Sequence, residues 1–127
     1  MRYLVDTQIL LWIFGESDKL TTTATQIVKN QKNRLCVSKV SFWEAAIKVN
    51  IGKLILPFEL ETLVHETLFN NIEILEIEMG HILEHVNLPL HHRDPFDRLI
   101  ISQAIVEELP VISSDDKFSL YEINRIW

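Results

Sequence analysis

The segment DPFDRLIISQA, at residues 94–104, carries the clearest helix signal in the chain. Asp94 suits the N-cap, and Pro95 suits the first helical position, where its missing N–H costs nothing. Apolar residues then recur at helical spacing as far as about Glu108, and the apolar run PVIS follows at residues 110–113. A helix that leads directly into a short buried strand is typical of a layered α/β fold.

The same alternation extends through the rest of the chain. Short apolar strands are predicted at residues 3–5, 35–37, 72–77, 110–113 and 121–123. Further helices are predicted at residues 7–14, 22–30, 41–50, 58–69 and 79–86. This order predicts an α/β fold, an α/β/α sandwich around a central, mainly parallel sheet. A length of 127 residues fits a single domain over residues 1–127.

Composition excludes several classes of protein. A hydrophobic content of 47% with 24% charged residues argues against disorder. Cys36 is the only cysteine, so no internal disulfide forms and a cytoplasmic location is expected. The longest apolar run, residues 9–14, is too short to span a membrane, and Asp6 comes too early for a signal peptide. A net charge of −6 argues against nucleic-acid binding unless the acids are gathered at one site.

Four acidic residues are predicted to meet at one edge of the sheet. Asp6 directly follows the first strand, and Asp115 lies just after the strand at residues 110–113. Glu44 and Asp97 lie in the first turns of predicted helices that begin at the same edge. Ligand sites of open α/β sheets lie beyond the carboxyl ends of the strands, so these four carboxylates are candidates for one site.

Clustered carboxylates raise one another's pKa values, and a divalent cation removes that penalty. All-oxygen ligands favour Mg²⁺ or Mn²⁺ over zinc, and such sites support phosphoryl transfer. Helix capping is the alternative for each acid taken alone. Asp6 can cap a helix, residues 41–44 fit the capping box S-x-x-E, Asp97 suits the third helical position, and Asp115 can begin a turn. The convergence of all four favours the metal site.

Several longer segments carry a family resemblance. They are YLVDTQILLW (3–12), VSKVSFWEAAIKVNIGKLILP (37–57), LPLHHRDPFDRLIISQA (88–104), ISSDDKFSLY (112–121) and the terminal IW (126–127). In this order they resemble PIN-domain ribonucleases, and most closely the VapC-type toxins of toxin–antitoxin pairs. The resemblance implies a Mg²⁺-dependent endoribonuclease, with Mn²⁺ as the other candidate ion. It places the catalytic and metal-binding roles on Asp6, Glu44, Asp97 and Asp115.

Four further residues are expected to support that site: Thr7, Asp94, Ser113 and Asp116. Asp116 competes with Asp115 for the last acidic position, and Asp115 is preferred for its spacing to Phe118. Gln8 stands where the family usually has histidine in D-T-H. Ser113 keeps the hydroxyl of the usual T-x-D.

The resemblance also implies partners: an RNA substrate, a small antitoxin whose Arg or Lys enters the acidic pocket, and a homodimer. Exposed apolar residues of the first helix would receive the antitoxin: Leu10, Leu11, Trp12 and Phe14. Two alternatives remain open. One is a PIN nuclease of RNA processing or of structured DNA outside toxin–antitoxin systems, and the other is a non-catalytic binding module.

Two histidine pairs are expected to be structural. His81 and His85 are four residues apart on a predicted helix but lack the H-E-x-x-H order of a zinc site. His91 and His92 lie in the loop before the 94–108 helix, where substrate contact is the alternative.

Overall fold

The computed structural model describes residues 1–127 and contains one five-stranded sheet. The strands are β1 (Arg2–Val5), β2 (Arg34–Ser38), β3 (Glu73–Leu75), β4 (Val111–Ile112) and β5 (Arg125–Ile126). Their order in the sheet is β3-β2-β1-β4-β5, and every neighbouring pair is parallel. The central strand β1 therefore lies between β2 and β4.

Helices cover both faces of this sheet. They are α1 (Thr7–Gly15), α2 (Thr22–Lys29), α3 (Lys39–Asn50), α4 (Leu60–Phe69), α5 (Met79–His85) and α6 (Pro95–Glu107). Two short 3₁₀ helices lie at Ser17–Lys19 and Asp116–Leu120. Adjacent residues of β1 supply both cores: Leu4 packs with the α6 side, and Val5 packs with the α1, α2 and α4 side. The predicted α/β fold with a parallel, doubly covered sheet is confirmed.

The last strand was predicted at residues 121–123, and that prediction is wrong. Strand β5 lies at Arg125–Ile126, where the amide of Ser113 donates to the carbonyl of Ile126. Tyr121 is instead a buried side chain of the core, and its hydroxyl faces the loop before α6. The apolar residues at 121–123 therefore reflect packing against the core and not strand pairing.

Two further expectations are wrong in detail. Helix α3 begins at Lys39 and not at residue 41, because the Ser38 hydroxyl accepts from the Val40 amide and caps the helix. Leu10 is 1% exposed and belongs to the core, so it is not part of a surface for a partner.

Cys36 is fully buried in β2, and burial raises the pKa of its thiol to about 12. The thiol therefore behaves as a small apolar side chain. None of the helices combines the length and the apolar character needed to cross a membrane.

Candidate active site

The acidic residues predicted to converge do so in one cavity of about 280 Å³ at the carboxyl edge of the sheet. The cavity is lined by five carboxylates: Asp6, Glu44, Asp94, Asp97 and Asp115. The sheet order explains the location, since the chain leaves β1 toward β2 and later returns to β4 on its other side. Such a reversal of strand order opens a crevice beside the central strand. A larger cleft of about 890 Å³ contains no acidic residue and is lined by residues at the amino ends of β2 and β3.

Asp6 lies directly after β1 and is 4% exposed. Its Oδ1 accepts from the Ile9 amide at 2.8 Å, and its Oδ2 accepts from the Ser113 hydroxyl at 2.5 Å. Burial raises the pKa of Asp6 to about 6, with smaller contributions from Glu44 and Asp115. Asp6 is therefore both the N-cap of α1 and a member of the acidic cavity.

Glu44 occupies the second turn of α3, on the buried face of the helix. The capping-box alternative for Glu44 is therefore wrong, because Ser38 caps this helix. The Thr7 hydroxyl donates to Glu44 Oε1 at 2.6 Å, and the Lys48 ammonium donates to Oε2 at 2.6 Å. The hydrogen bond to Glu44 raises the pKa of Lys48, so this lysine stays charged beside the cavity.

Asp97 is the third residue of α6, as its spacing from Asp94 predicts. Asp94 Oδ1 accepts from the amides of Phe96 and Asp97, and Asp97 lines the cavity. Burial above all, together with repulsion from the neighbouring carboxylates, Asp94 foremost, raises the pKa of Asp97 to about 8. In the protein alone, Asp97 is therefore largely protonated at neutral pH.

Of the two neighbouring acids Asp115 and Asp116, only Asp115 lines the cavity. Asp115 lines the cavity, its Oδ1 accepts from the Lys117 amide, and its Oδ2 lies 2.8 Å from His92 Nε2. Asp116 is exposed and does not line the cavity. The structure thus brings Asp115 to the other acids and leaves Asp116 outside.

His92 is a residue of this site that sequence reasoning treated as structural. It is 7% exposed, and its Nε2 lies 3.1 Å from Asp97 Oδ2 as well as close to Asp115. Its position two residues before Asp94 was the available signal, because that helix start was already placed at the acidic edge.

His81 and His85 face different partners. His81 Nε2 lies 3.0 Å from Glu107 Oε2, whereas His85 Nε2 accepts from the Arg98 guanidinium at 3.3 Å. The two rings do not form a metal pair, in agreement with the packing role expected for them.

The side chains in the cavity fit a hard divalent cation. The four ligand candidates, Asp6, Glu44, Asp97 and Asp115, all offer carboxylate oxygens, which Mg²⁺ and Mn²⁺ prefer. Burial first, and the neighbouring carboxylates to a smaller extent, raise the pKa values of Asp6 and Asp97. A bound cation would favour the ionised form of both.

Comparison with known proteins gives one family and several similar folds. The sequence model of the PIN domain matches residues 3–124. No curated protein matches the chain.

Among solved structures, VapBC2 from Rickettsia felis, bound to a DNA fragment from its promoter, is 16% identical with a TM-score of 0.71. The match covers 99% of this chain and 98% of that one. DNA-bound VapBC from Salmonella typhimurium is 14% identical, with a TM-score of 0.68 and coverage of 99% and 97%. VapBC-1 from nontypeable Haemophilus influenzae is 17% identical, with a TM-score of 0.66 and coverage of 99% and 97%. At these identities the likeness shows the fold.

Proposed function

Because the chain belongs to the PIN domain family, a family of nucleases, we propose that it is a divalent-metal-dependent endoribonuclease and the toxin of a toxin–antitoxin pair. The observation that carries the proposal is the meeting of Asp6, Glu44, Asp97 and Asp115 in one cavity. These four residues come from four separate segments of the chain, and helix capping does not account for Glu44.

The proposed roles follow from the contacts of each side chain. Asp6 and Asp97 would hold Mg²⁺ or Mn²⁺, and Glu44 and Asp115 would complete the site. When bound, the ion would lower the pKa of the attacking water and offset negative charge on the scissile phosphate. Ser113 fixes the orientation of Asp6.

The other polar residues of the cavity have supporting roles: some orient Glu44, one caps α6, and one is placed to contact substrate. Thr7 and Lys48 fix the two oxygens of Glu44. Asp94 keeps the start of α6 in place and is assigned no direct contact with the ion. Lys53 lines the cavity without an acidic partner, and it is suited to contact a substrate phosphate.

The partners are proposed from the likeness to VapBC complexes and from charge. An antitoxin segment carrying Arg or Lys would complement the acidic cavity, and RNA would be the substrate of the free toxin. A homodimer in the cytoplasm is part of the same proposal. Co-expression with a small adjacent reading frame, followed by size-exclusion chromatography, tests both associations.

The decisive experiment compares Asp6→Asn with Asp116→Asn in RNA cleavage assays with Mg²⁺, Mn²⁺ or EDTA. Asparagine keeps the acceptor oxygen that caps α1, so D6N is expected to fold while losing at least 100-fold in metal-dependent cleavage. D116N changes an exposed carboxylate outside the cavity and is expected to retain activity. Full activity in D6N would contradict the assignment.

The same assays decide between the alternatives. Clean protein that binds RNA without cleaving it under any metal would favour a non-catalytic module. Cleavage of structured DNA, together with the absence of a co-purifying antitoxin, would favour a PIN nuclease outside toxin–antitoxin systems.

A further inference from the structure

The loop between α5 and α6 is fastened to the domain by buried hydrogen bonds. The guanidinium of Arg98, a buried residue of α6, contacts the carbonyls of Pro89 at 2.8 Å, His92 at 3.1 Å and Leu88 at 3.4 Å. The Tyr121 hydroxyl accepts from the His92 amide at 2.8 Å and donates to the Pro89 carbonyl at 3.0 Å. Burying a guanidinium costs desolvation free energy. A functional role for the loop conformation that Arg98 fixes would account for that cost.

These hydrogen bonds fix the position of the His92 imidazole. His92 Nε2 lies 2.8 Å from Asp115 Oδ2 and 3.1 Å from Asp97 Oδ2. On the other side of the ring, Nδ1 lies 3.1 Å from the amide of Asp94 and accepts its hydrogen bond. The ring also meets Phe118 edge-on, with centroids 6.0 Å apart.

The contact with Asp94 determines which nitrogen of His92 carries the proton. A backbone amide is always a donor, so Nδ1 must present its lone pair, and the neutral ring carries its hydrogen on Nε2. That N–H is directed at Asp115 Oδ2, and Asp97 Oδ2 lies 3.1 Å from the same nitrogen. A ring in this tautomer has no lone pair at Nε2 to offer to a cation.

We propose that His92 is a positioning residue of the metal site, whose Nε2–H holds the carboxylates of Asp97 and Asp115 in their binding orientation without itself ligating the ion. The inference rests on the proposed function and deepens it. His92 is the one side chain that contacts the Asp97 carboxylate within hydrogen-bond distance, and it meets only Oδ2. Asp97 Oδ1 thus stays available for the cation.

His91 provides a matched control beside it in the sequence. His91 is exposed, and its ring packs edge-on against Tyr121 with centroids 5.2 Å apart. Unlike His92, it makes no hydrogen bond or ion pair with a carboxylate of the acidic cavity.

The experiment measures Mn²⁺ binding to the full chain by electron paramagnetic resonance in wild type, H92N, H92Q and H91N. The shorter amide of H92N does not reach the two carboxylates, so Mn²⁺ affinity is expected to fall by about 10- to 100-fold. The longer amide of H92Q can present an N–H near the position of Nε2, and its affinity is expected to stay within about threefold of wild type. H91N is expected to match wild type.

Electron spin-echo modulation then shows whether His92 is a hydrogen-bond donor to the carboxylates or a ligand of the ion. Wild-type protein loaded with Mn²⁺ is expected to show no coupling to a coordinated imidazole ¹⁴N. A coordinated ¹⁴N signal in wild type that disappears in H92Q would overturn the proposal, as would wild-type Mn²⁺ affinity in H92N. Absence of Mn²⁺ binding in wild type would contradict the proposed function as a whole and the inference with it.

Discussion

Replacing Asp97 with asparagine should stabilise the protein in the absence of metal. Asp97 is an acid whose pKa is raised from 3.8 to about 8, chiefly by burial. Such a group destabilises the fold as the pH rises, because the unfolded chain releases its proton first and so binds fewer protons than the native state. The penalty is absent below pH 4, grows between pH 4 and 8, and is complete above pH 8.

The size of this effect follows from linkage. At pH 7 the raised pKa of Asp97 corresponds to a loss of about 4 kcal/mol in the free energy of unfolding. Because native Asp97 is largely protonated at pH 7, asparagine at the third position of α6 gives up little charge interaction with the helix dipole. The gain of about 4 kcal/mol corresponds to a melting temperature higher by roughly 16 °C, at about 4 °C per kcal/mol for a domain of this size.

Thermal melts from pH 4 to pH 8.5 in EDTA test the reasoning, with D116N as the control. Asp116 is exposed and outside the cavity, so D116N should melt with wild type throughout. The gap between D97N and wild type should widen as the pH rises, and saturating Mg²⁺ should narrow it by stabilising wild type. A D97N protein that melts below wild type at neutral pH in EDTA, or a gap that does not vary with pH, would refute the argument.

Two other substitutions test the supports of the cavity. Ser113→Ala removes the hydroxyl donor to Asp6 Oδ2, so the pKa of Asp6 should rise further and Mn²⁺ affinity should fall by about 10-fold, measured by titration at pH 6 and pH 8. The loss of affinity relative to wild type should be larger at pH 6, and a loss of equal size at both pH values would contradict the prediction. Arg98→Met leaves the carbonyls of His92 and Leu88 without their buried donor, so urea unfolding should show a loss of about 3 kcal/mol. Hydrogen exchange should show the loop before α6 opening first, and an unchanged loop would contradict the role given to Arg98.

Local signals in the sequence accounted for much of the fold. The start of α6 was predicted correctly because its cap is made within three residues, by Asp94 and the amides of Phe96 and Asp97. The meeting of the acids was predicted from a rule of topology and not from local pattern. Parallel strands share an edge, so residues that follow them in sequence lie together in space.

Long-range contacts account for what the sequence analysis missed. His92 reaches Asp115, 23 residues away, and its amide is held by Tyr121, 29 residues away. No spacing in a single sequence reports such contacts. The short strand β5 was missed because the Arg125 side chain donates to the carbonyls of Ser113 and Ser114, so a charged residue stands where an apolar strand was sought.

Three acids of the cavity serve at once as helix caps, and this affects how mutagenesis of the site is interpreted. Asp6 caps α1, Asp94 caps α6, and Asp115 caps the following 3₁₀ helix. An alanine at any of these positions removes both a charge and a cap worth about 1 kcal/mol, so an inactive alanine variant confounds lost chemistry with a weakened fold. Asparagine removes the charge alone. Each position should be replaced by alanine and, separately, by asparagine. The difference in the free energy of unfolding between the two variants then gives the contribution of the cap.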